Sequence, residues 1–424
     1  MLVGEHEKGE AVKVCMFHLM PYRDLPADFD KRYNSAYIDP NWFDVADPDL
    51  VGKYYNDTLD EMLLAAKLGF HGLCTNQHHQ NVYGFMANPS LMGAVLARGT
   101  AGQNVAIIQL GSTLPSSTPP TRIAEEYAMI DCISGGRLVA GFPTGLPSDA
   151  ALSNGVVPVE QRERYREALA LVKKAWSAKE TFAWNGRHYQ LGMVNLWPRP
   201  IQQPLPPIWI PGSGISATAE NVVNMDHCFC HLSYYGLKSA EFVADRYWEL
   251  VASKGRDDNP HRFSFLQLIG VAESDAEAED LYAEHAEYFF HKLLLIPPNY
   301  QAIPGCLDYA SLVQGLTNNP RAGINLRALK AKDYYERGFV IVGSPKTVRE
   351  QLMDGVKRLR VGHLLTLLQF GSMSTELTKQ NIALFARDVL PYLENLWDDQ
   401  YEDRWWPERL RVKRHVAAIA ASAS

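Results

Sequence analysis

Short apolar runs with strand character alternate with segments of helical spacing through most of the chain, and this alternation limits the fold more than any other feature. Val12–Met20 (VKVCMFHLM) reads as a buried first strand. Gly72–Thr75, Val105–Leu110, Arg137–Gly141, Ile208–Ile210, His227–Ser233, Phe265–Val271 and Val361–Leu368 read as further strands. Between them, Asp57–Leu68 sets Leu59, Met62, Leu63 and Ala66 on one face and stops at Gly69. Leu91–Arg98, Thr121–Ile133, Glu160–Trp176 and Ala217–Val223 are also helical in spacing. Alternating strands and helices build a parallel sheet. About eight such units favour closure, so the expected fold is α/β, a (β/α)8 TIM barrel, with its chemistry at the C-terminal ends of the strands.

Three segments break the rhythm of what is expected to be a single domain over residues 1–424. Residues 21–56 form a long insertion carrying Tyr22, Tyr33, Tyr37, Trp42 and Phe43, readable as substrate-facing or as a surface excursion. Residues 296–336 are rich in Pro, Gly and Asn and form a candidate lid over the barrel mouth. Residues 397–424 read as a C-terminal arm, with Trp405, Trp406, Arg409 and Arg411, placed across a partner subunit. A net charge of -7 argues against a phosphate-backbone partner, so no nucleic acid is expected. The opening MLVGEHEKGE lacks the order of a signal peptide, and no apolar run reaches the roughly 18 residues of a membrane span. Six cysteines do not make a disulfide framework, and a cytoplasmic setting is expected.

His78-His79 follows the second strand, where a barrel sets catalytic groups, and imidazole moves protons near neutral pH. Neighbours in extended chain face opposite ways, so one of the pair faces the cavity. Asp226-His227-Cys228-Phe229-Cys230-His231 contains metal-ligand types, but a strand splits its cysteines from its histidines, and no metal is expected. Pro211-Gly212-Ser213-Gly214-Ile215-Ser216 joins an apolar strand to a helix, where backbone N–H groups and the helix N-terminus suit a cofactor phosphate. A tight turn with a Ser cap fits the same residues. No Gly-x-Gly-x-x-Gly follows the first strand and no Gly-x-Ser-x-Gly occurs, which leaves Rossmann and α/β-hydrolase readings unsupported.

Taken in order, five groups of residues resemble the bacterial-luciferase-like flavin-dependent monooxygenases. They are Gly69-Phe70 with His78-His79, Gly84 and Asn88-Pro89; Arg122–Glu126 with Asp131, Ser134-Gly135-Gly136-Arg137 and Gly141; Trp197-Pro198-Arg199-Pro200 with Gln203-Pro204, Pro206-Pro207-Ile208-Trp209 and Gly212-Ser213-Gly214; Val342-Gly343-Ser344-Pro345 with Val348; and Phe370-Gly371 with Phe385–Pro391. Together they cover roughly residues 57 to 395. The resemblance implies reduced FMN (FMNH2) supplied by a separate flavin reductase, O2 as co-substrate, and oxygenation of a small apolar or ring-bearing molecule through a C4a-(hydro)peroxyflavin. It also implies a homodimer or homotetramer.

The resemblance assigns catalysis to His78 and a structural role to His79. It lays the phosphate on Gly212, Ser213, Gly214, Ile215 and Ser216, with Arg162 or Arg164 as cationic partner. Gly111 and Ser112 back the flavin ring, and Phe17, His18 and Tyr234 face the substrate. Two departures stand out. Gln77 occupies a position where glutamate is usual, removing a charge that would raise the basicity of a neighbouring imidazole. Thr144 stands where some members carry a phosphate-reaching arginine, leaving Arg162 or Arg164 to compensate. An F420-dependent oxidoreductase on the same fold and a non-catalytic flavin-binding protein are the alternatives.

Overall fold

A computed structural model describes residues 12–411 except 147, 150–151, 215, 298–299, 301–323, 395 and 398–400. Eleven strands are present among these residues: β1 (Lys13–Phe17), β2 (Gly72–Thr75), β3 (Ala106–Gln109), β4 (Leu138–Gly141), β5 (Phe182–Asn185), β6 (Gln190–Val194), β7 (Ile208–Gly212), β8 (Cys228–His231), β9 (Phe263–Val271), β10 (Val340–Gly343) and β11 (His363–Leu367). Strands β11, β1, β2, β3, β4, β7, β8 and β9 pair in parallel in that order, and the β9–β11 pairing closes the ring. The fold is the expected (β/α)8 barrel. β10 is additional. It pairs with the C-terminal half of β9, Val340 opposite Leu268, on the edge that β8 uses further back. The antiparallel β5–β6 hairpin was not foreseen either; it lies outside the barrel ring.

Strand alternation divides the core into two layers. On β1, Val14 and Met16 join the cluster between barrel and helices, whereas Cys15 and Phe17 join the barrel interior. Cys74, Cys228 and Cys230 are buried in that interior. Among the described residues the cysteines are all free, and burial pushes the Cys230 thiol up to about 12, as befits small apolar packing groups.

The helix expected over Asp57–Leu68 spans Pro48–Lys67, starting nine residues earlier than its apolar periodicity indicated. Its start signal is Asp47, whose side chain accepts the Asp49 N–H, followed by Pro48 in the first turn. The insertion also holds short helices at Phe29–Arg32 and Trp42–Val45.

The C-terminal segment departs from the expected arm. Residues 401–411 cover the N-terminal end of their own barrel. Trp209 Nε1 donates to the Trp405 carbonyl, Trp405 Nε1 donates to the Asp226 carbonyl, and the Trp406 ring stacks on His363 with centroids 5.6 Å apart. Trp405 and Trp406 are buried, and a double apolar ring is more stable there than in water. Beneath them Asp403 lies 2.8 Å from His363 Nε2 and 3.4 Å from His261 Nδ1. Burial alone would raise the Asp403 carboxyl, but His363, His261 and Lys13 outweigh it and hold it well below the usual carboxylate range. Residues 412–424 of the expected arm, and 301–323 of the expected lid, lie outside the described residues.

Candidate active site

A cavity of about 320 Å3 opens at the C-terminal ends of the barrel strands. Each strand that reaches it contributes through its last residue or the loop beyond. Phe17 ends β1; Asn76, Gln77 and His78 follow β2; Leu110, Gly111 and Thr113 follow β3; Thr144 and Asp149 follow β4; Gly212 ends β7 and Ser213 follows it; Tyr234 follows β8. Arg162 reaches the cavity from the helix Gln161–Ser177, and Thr218 from the helix Ser216–Asn224.

His78 is fixed by a group the sequence analysis did not single out. Its Nδ1 lies 2.5 Å from Asp149 Oδ2, and Asp149 Oδ1 accepts the His79 backbone N–H at 2.6 Å. Tyr83 packs edge-on against the His78 ring at 4.6 Å and shares a hydroxyl–hydroxyl hydrogen bond with Tyr234. Burial pushes the Tyr234 hydroxyl up to about 12 and also raises that of Tyr83, so both are neutral donors near pH 7. Burial also lowers the His79 pKa, and His79 is not among the residues lining the cavity.

Gln77 does different work from that expected. Its Oε1 accepts the Thr113 N–H at 2.8 Å and its Nε2 donates to the Ala87 carbonyl at 3.2 Å. A carboxylate could accept the first bond but could not donate the second. The amide ties the loops after β2 and β3 together, and the negative charge beside His78 comes from Asp149 instead. Gly111 is part of the same junction: a Cβ there would lie 2.3 Å from the Gln77 backbone nitrogen.

Several expected site residues fall elsewhere. His18 is fully buried, with Nε2 2.7 Å from Glu61 Oε2, and its Nδ1 accepts the Met20 N–H. Strand alternation is the reason: Phe17 faces inward, so His18 faces the helix Pro48–Lys67. Burial opposes ionisation of Glu61, yet His18 and Arg23 outweigh it and hold its carboxyl below the ordinary value. Arg164 pairs with Glu160 at 2.9 Å and does not line the cavity, because it lies two residues round the helix from Arg162. Ser112 is buried behind the wall, with a φ of 151° that is sparsely populated by residues other than glycine. Ile215 lies outside the described residues, and Ser216 opens the following helix. The insertion aromatics Tyr22, Tyr33, Tyr37, Trp42 and Phe43 do not line the cavity; Phe43 is 89% exposed. Tyr37 stands one layer back, stacked on Tyr83 at 5.0 Å.

One end of the cavity suits an anion. Gly212 and Ser213 precede a nine-residue helix, and Gly214 has a φ of 93°, with Val243 2.8 Å from where its Cβ would sit. Arg162, Thr144 and Thr218 line both this end and a smaller adjoining cavity of about 200 Å3 that Arg166 also reaches. A cation, hydroxyls and a helix N-terminus fit a phosphate monoester. Phe17, Leu110 and Leu232 give apolar wall for a flat ring.

Fold and cavity together define a β/α barrel with a pocket at the C-terminal ends of its strands that suits a phosphate-bearing ring cofactor. The model of the luciferase-like monooxygenase family matches residues 41–363, and the chain belongs to this family of flavin-dependent oxidoreductases. It is 30% identical over 168 residues, 39% of this chain and 45% of that protein, to the oxygenase component of the flavin-dependent trigonelline monooxygenase of Acinetobacter baylyi. The chain thus spans under half the length of that relative. It is 33% identical over 117 residues, 26% of this chain and 34% of that protein, to the F420-dependent glucose-6-phosphate dehydrogenase of Kineococcus radiotolerans. In fold it resembles the oxygenating constituent of 3,6-diketocamphane monooxygenase of Pseudomonas putida, solved with FMN. The TM-score is 0.67 at 18% identity, over 90% of this chain and 98% of that one.

Proposed function

We propose that the chain is the oxygenase component of a two-component system that uses reduced FMN and O2 to oxygenate a small apolar or ring-bearing molecule. The observation that carries this reading is a single cavity with His78 on one wall and the Arg162–Thr144–Ser213 cradle at its end. Reduced FMN, when bound, supplies the activation of O2; the protein supplies position, proton handling and dryness. Arg162, Ser213 and the backbone of Gly212 hold the phosphate, and Thr218 adds a hydroxyl. Gly111 lets the loops close behind the ring. His78 presents an imidazole to the reacting face, while Phe17 and Tyr234 contact the substrate. A separate flavin reductase delivers the cofactor, as the oxygenase component of the trigonelline system suggests.

Water exclusion falls to the segments over the mouth. Phe289 packs edge-on against Tyr234 at 5.1 Å, and Ala36 N donates to the Leu295 carbonyl at 2.7 Å, linking the insertion to the segment between β9 and β10. Residues 324–336 extend this cover, with Tyr334 stacked on Phe290 at 4.2 Å. Self-association is supported by Leu91 and Val95 on the helix Pro89–Gly99 and Met129 and Ile133 on its neighbour Thr121–Ser134, all exposed. Among the described residues no helix is long and apolar enough to cross a membrane.

The relative that uses F420 favours hydride transfer as a second reading. Anaerobic titration with reduced FMN and, separately, reduced F420, followed by an oxygen pulse, separates the two. Tight reduced-FMN binding with O2 consumption is the expected result; preference for F420 without O2 uptake would overturn it. His78→Ala should abolish oxygenation while flavin binding stays within about threefold.

A further inference from the structure

Position 77 carries an amide, and the loop after β4 brings a carboxylate to His78 instead. Asp149 accepts a backbone N–H through Oδ1 and meets His78 Nδ1 through Oδ2; its side chain is 3% exposed. An ionised carboxylate has no proton to give, so Nδ1 carries the hydrogen. Gly84 packs on the Cδ2 edge of the ring. Among the described residues nothing hydrogen-bonds Nε2, and His78 lines the cavity. The lone pair of the neutral ring is therefore Nε2, on the cavity side. The other ionisable groups nearby are His79 and Tyr83 on the same loop, Tyr37 from the insertion, Tyr234 beyond β8, and Arg162 across the cavity.

We propose that Asp149 and His78 form a dyad in which His78 Nε2 takes the proton of a hydroxyl carried by the substrate ring, so that the substrate is a phenol or a hydroxylated heteroaromatic molecule. This rests on the flavin-oxygenase reading above. In the step the substrate O–H bond breaks, its proton passes to Nε2, and the electron pair remains on the substrate oxygen; nothing is oxidised or reduced. The imidazolium so formed is stabilised by the adjacent carboxylate. Tyr234 donates to the oxyanion, and Phe17 flanks the ring. Ionisation enriches the ring in electrons, which attack on an electrophilic oxygen donor requires. Asp149 acts through His78 and is a positioning residue.

The test uses the full chain without flavin and 4-nitrophenol as probe, since its ionisation is visible. One pH unit below the probe's solution pKa, the wild type should bind it mainly as the phenolate. Asp149→Asn should lower the bound ionisation constant by about tenfold or more. Affinity for 4-nitroanisole, which has no proton to lose, should stay within about twofold. Histidine 15N resonances should report Nδ1–H in the wild type and Nε2–H in the variant. A probe that stays neutral, does not bind, or ionises equally in Asp149→Asn would overturn the dyad. Reduced-FMN titration on the same samples separates the two readings. Binding of FMN without probe ionisation refutes the dyad alone; ionisation without FMN binding supports the dyad and refutes the flavin reading.

Discussion

Acid should loosen the closed end of the barrel. His227 precedes β8 and His261 precedes β9, both at the N-terminal end, and both are buried. Burial, aided by Lys173, brings His227 down to about 3; burial, against the pull of Asp403, brings His261 down to about 4. Both folded values lie below the ordinary value of 6.5, so the unfolded chain binds protons that the folded chain refuses. The stability these groups contribute is therefore complete above about pH 6.5 and falls as the pH drops toward 4. One unit below the unfolded value, at about pH 5.5, each costs about 1.4 kcal/mol, about 3 kcal/mol for the pair. That is a substantial part of the roughly 5–15 kcal/mol typical of a domain. Denaturant unfolding at pH 7.5 and 5.5 measures the loss. His227→Gln and His261→Gln should each flatten the pH dependence by about one proton. Equal wild-type stability at the two pH values, or an unchanged slope in the double variant, would refute the reasoning.

Two further outcomes follow from the packing and the cradle. Trp406→Ala removes a ring held between His363 and Trp209 and should cost about 3–5 kcal/mol, read as a lower denaturation midpoint. Arg162→Ala should weaken reduced-FMN binding by about ten- to a hundredfold, as loss of a charge-assisted hydrogen bond does, whereas Arg164→Ala should leave it within about twofold; equal effects in an equilibrium titration would move the phosphate site.

The barrel itself was legible because strand and helix periods are local properties of the chain. The same holds for His78 at the end of β2 and for the small-residue turn Gly212-Ser213-Gly214, since a strand's last residues mark the cavity wherever the barrel closes. Two misplacements also had local signals. Alternation from Phe17 turns His18 outward, and helical rotation separates Arg164 from Arg162. Asp47-Pro48 likewise announced the earlier helix start.

Other features had no local signal. Asp149 lies 71 residues from His78, in a loop without periodicity, and only the adjacency of β2, β3 and β4 brings the two together. Thr218 joins the cradle from the helix after the turn, and Asp403 reaches His261 and His363 because two tryptophans bury the segment that carries it. The sequence determined the fold and the strand ends where chemistry belongs, because short-range periodicity encodes both. Tertiary structure alone decided which carboxylate serves the histidine and what closes the barrel floor, because those contacts join distant segments only after the ring has closed.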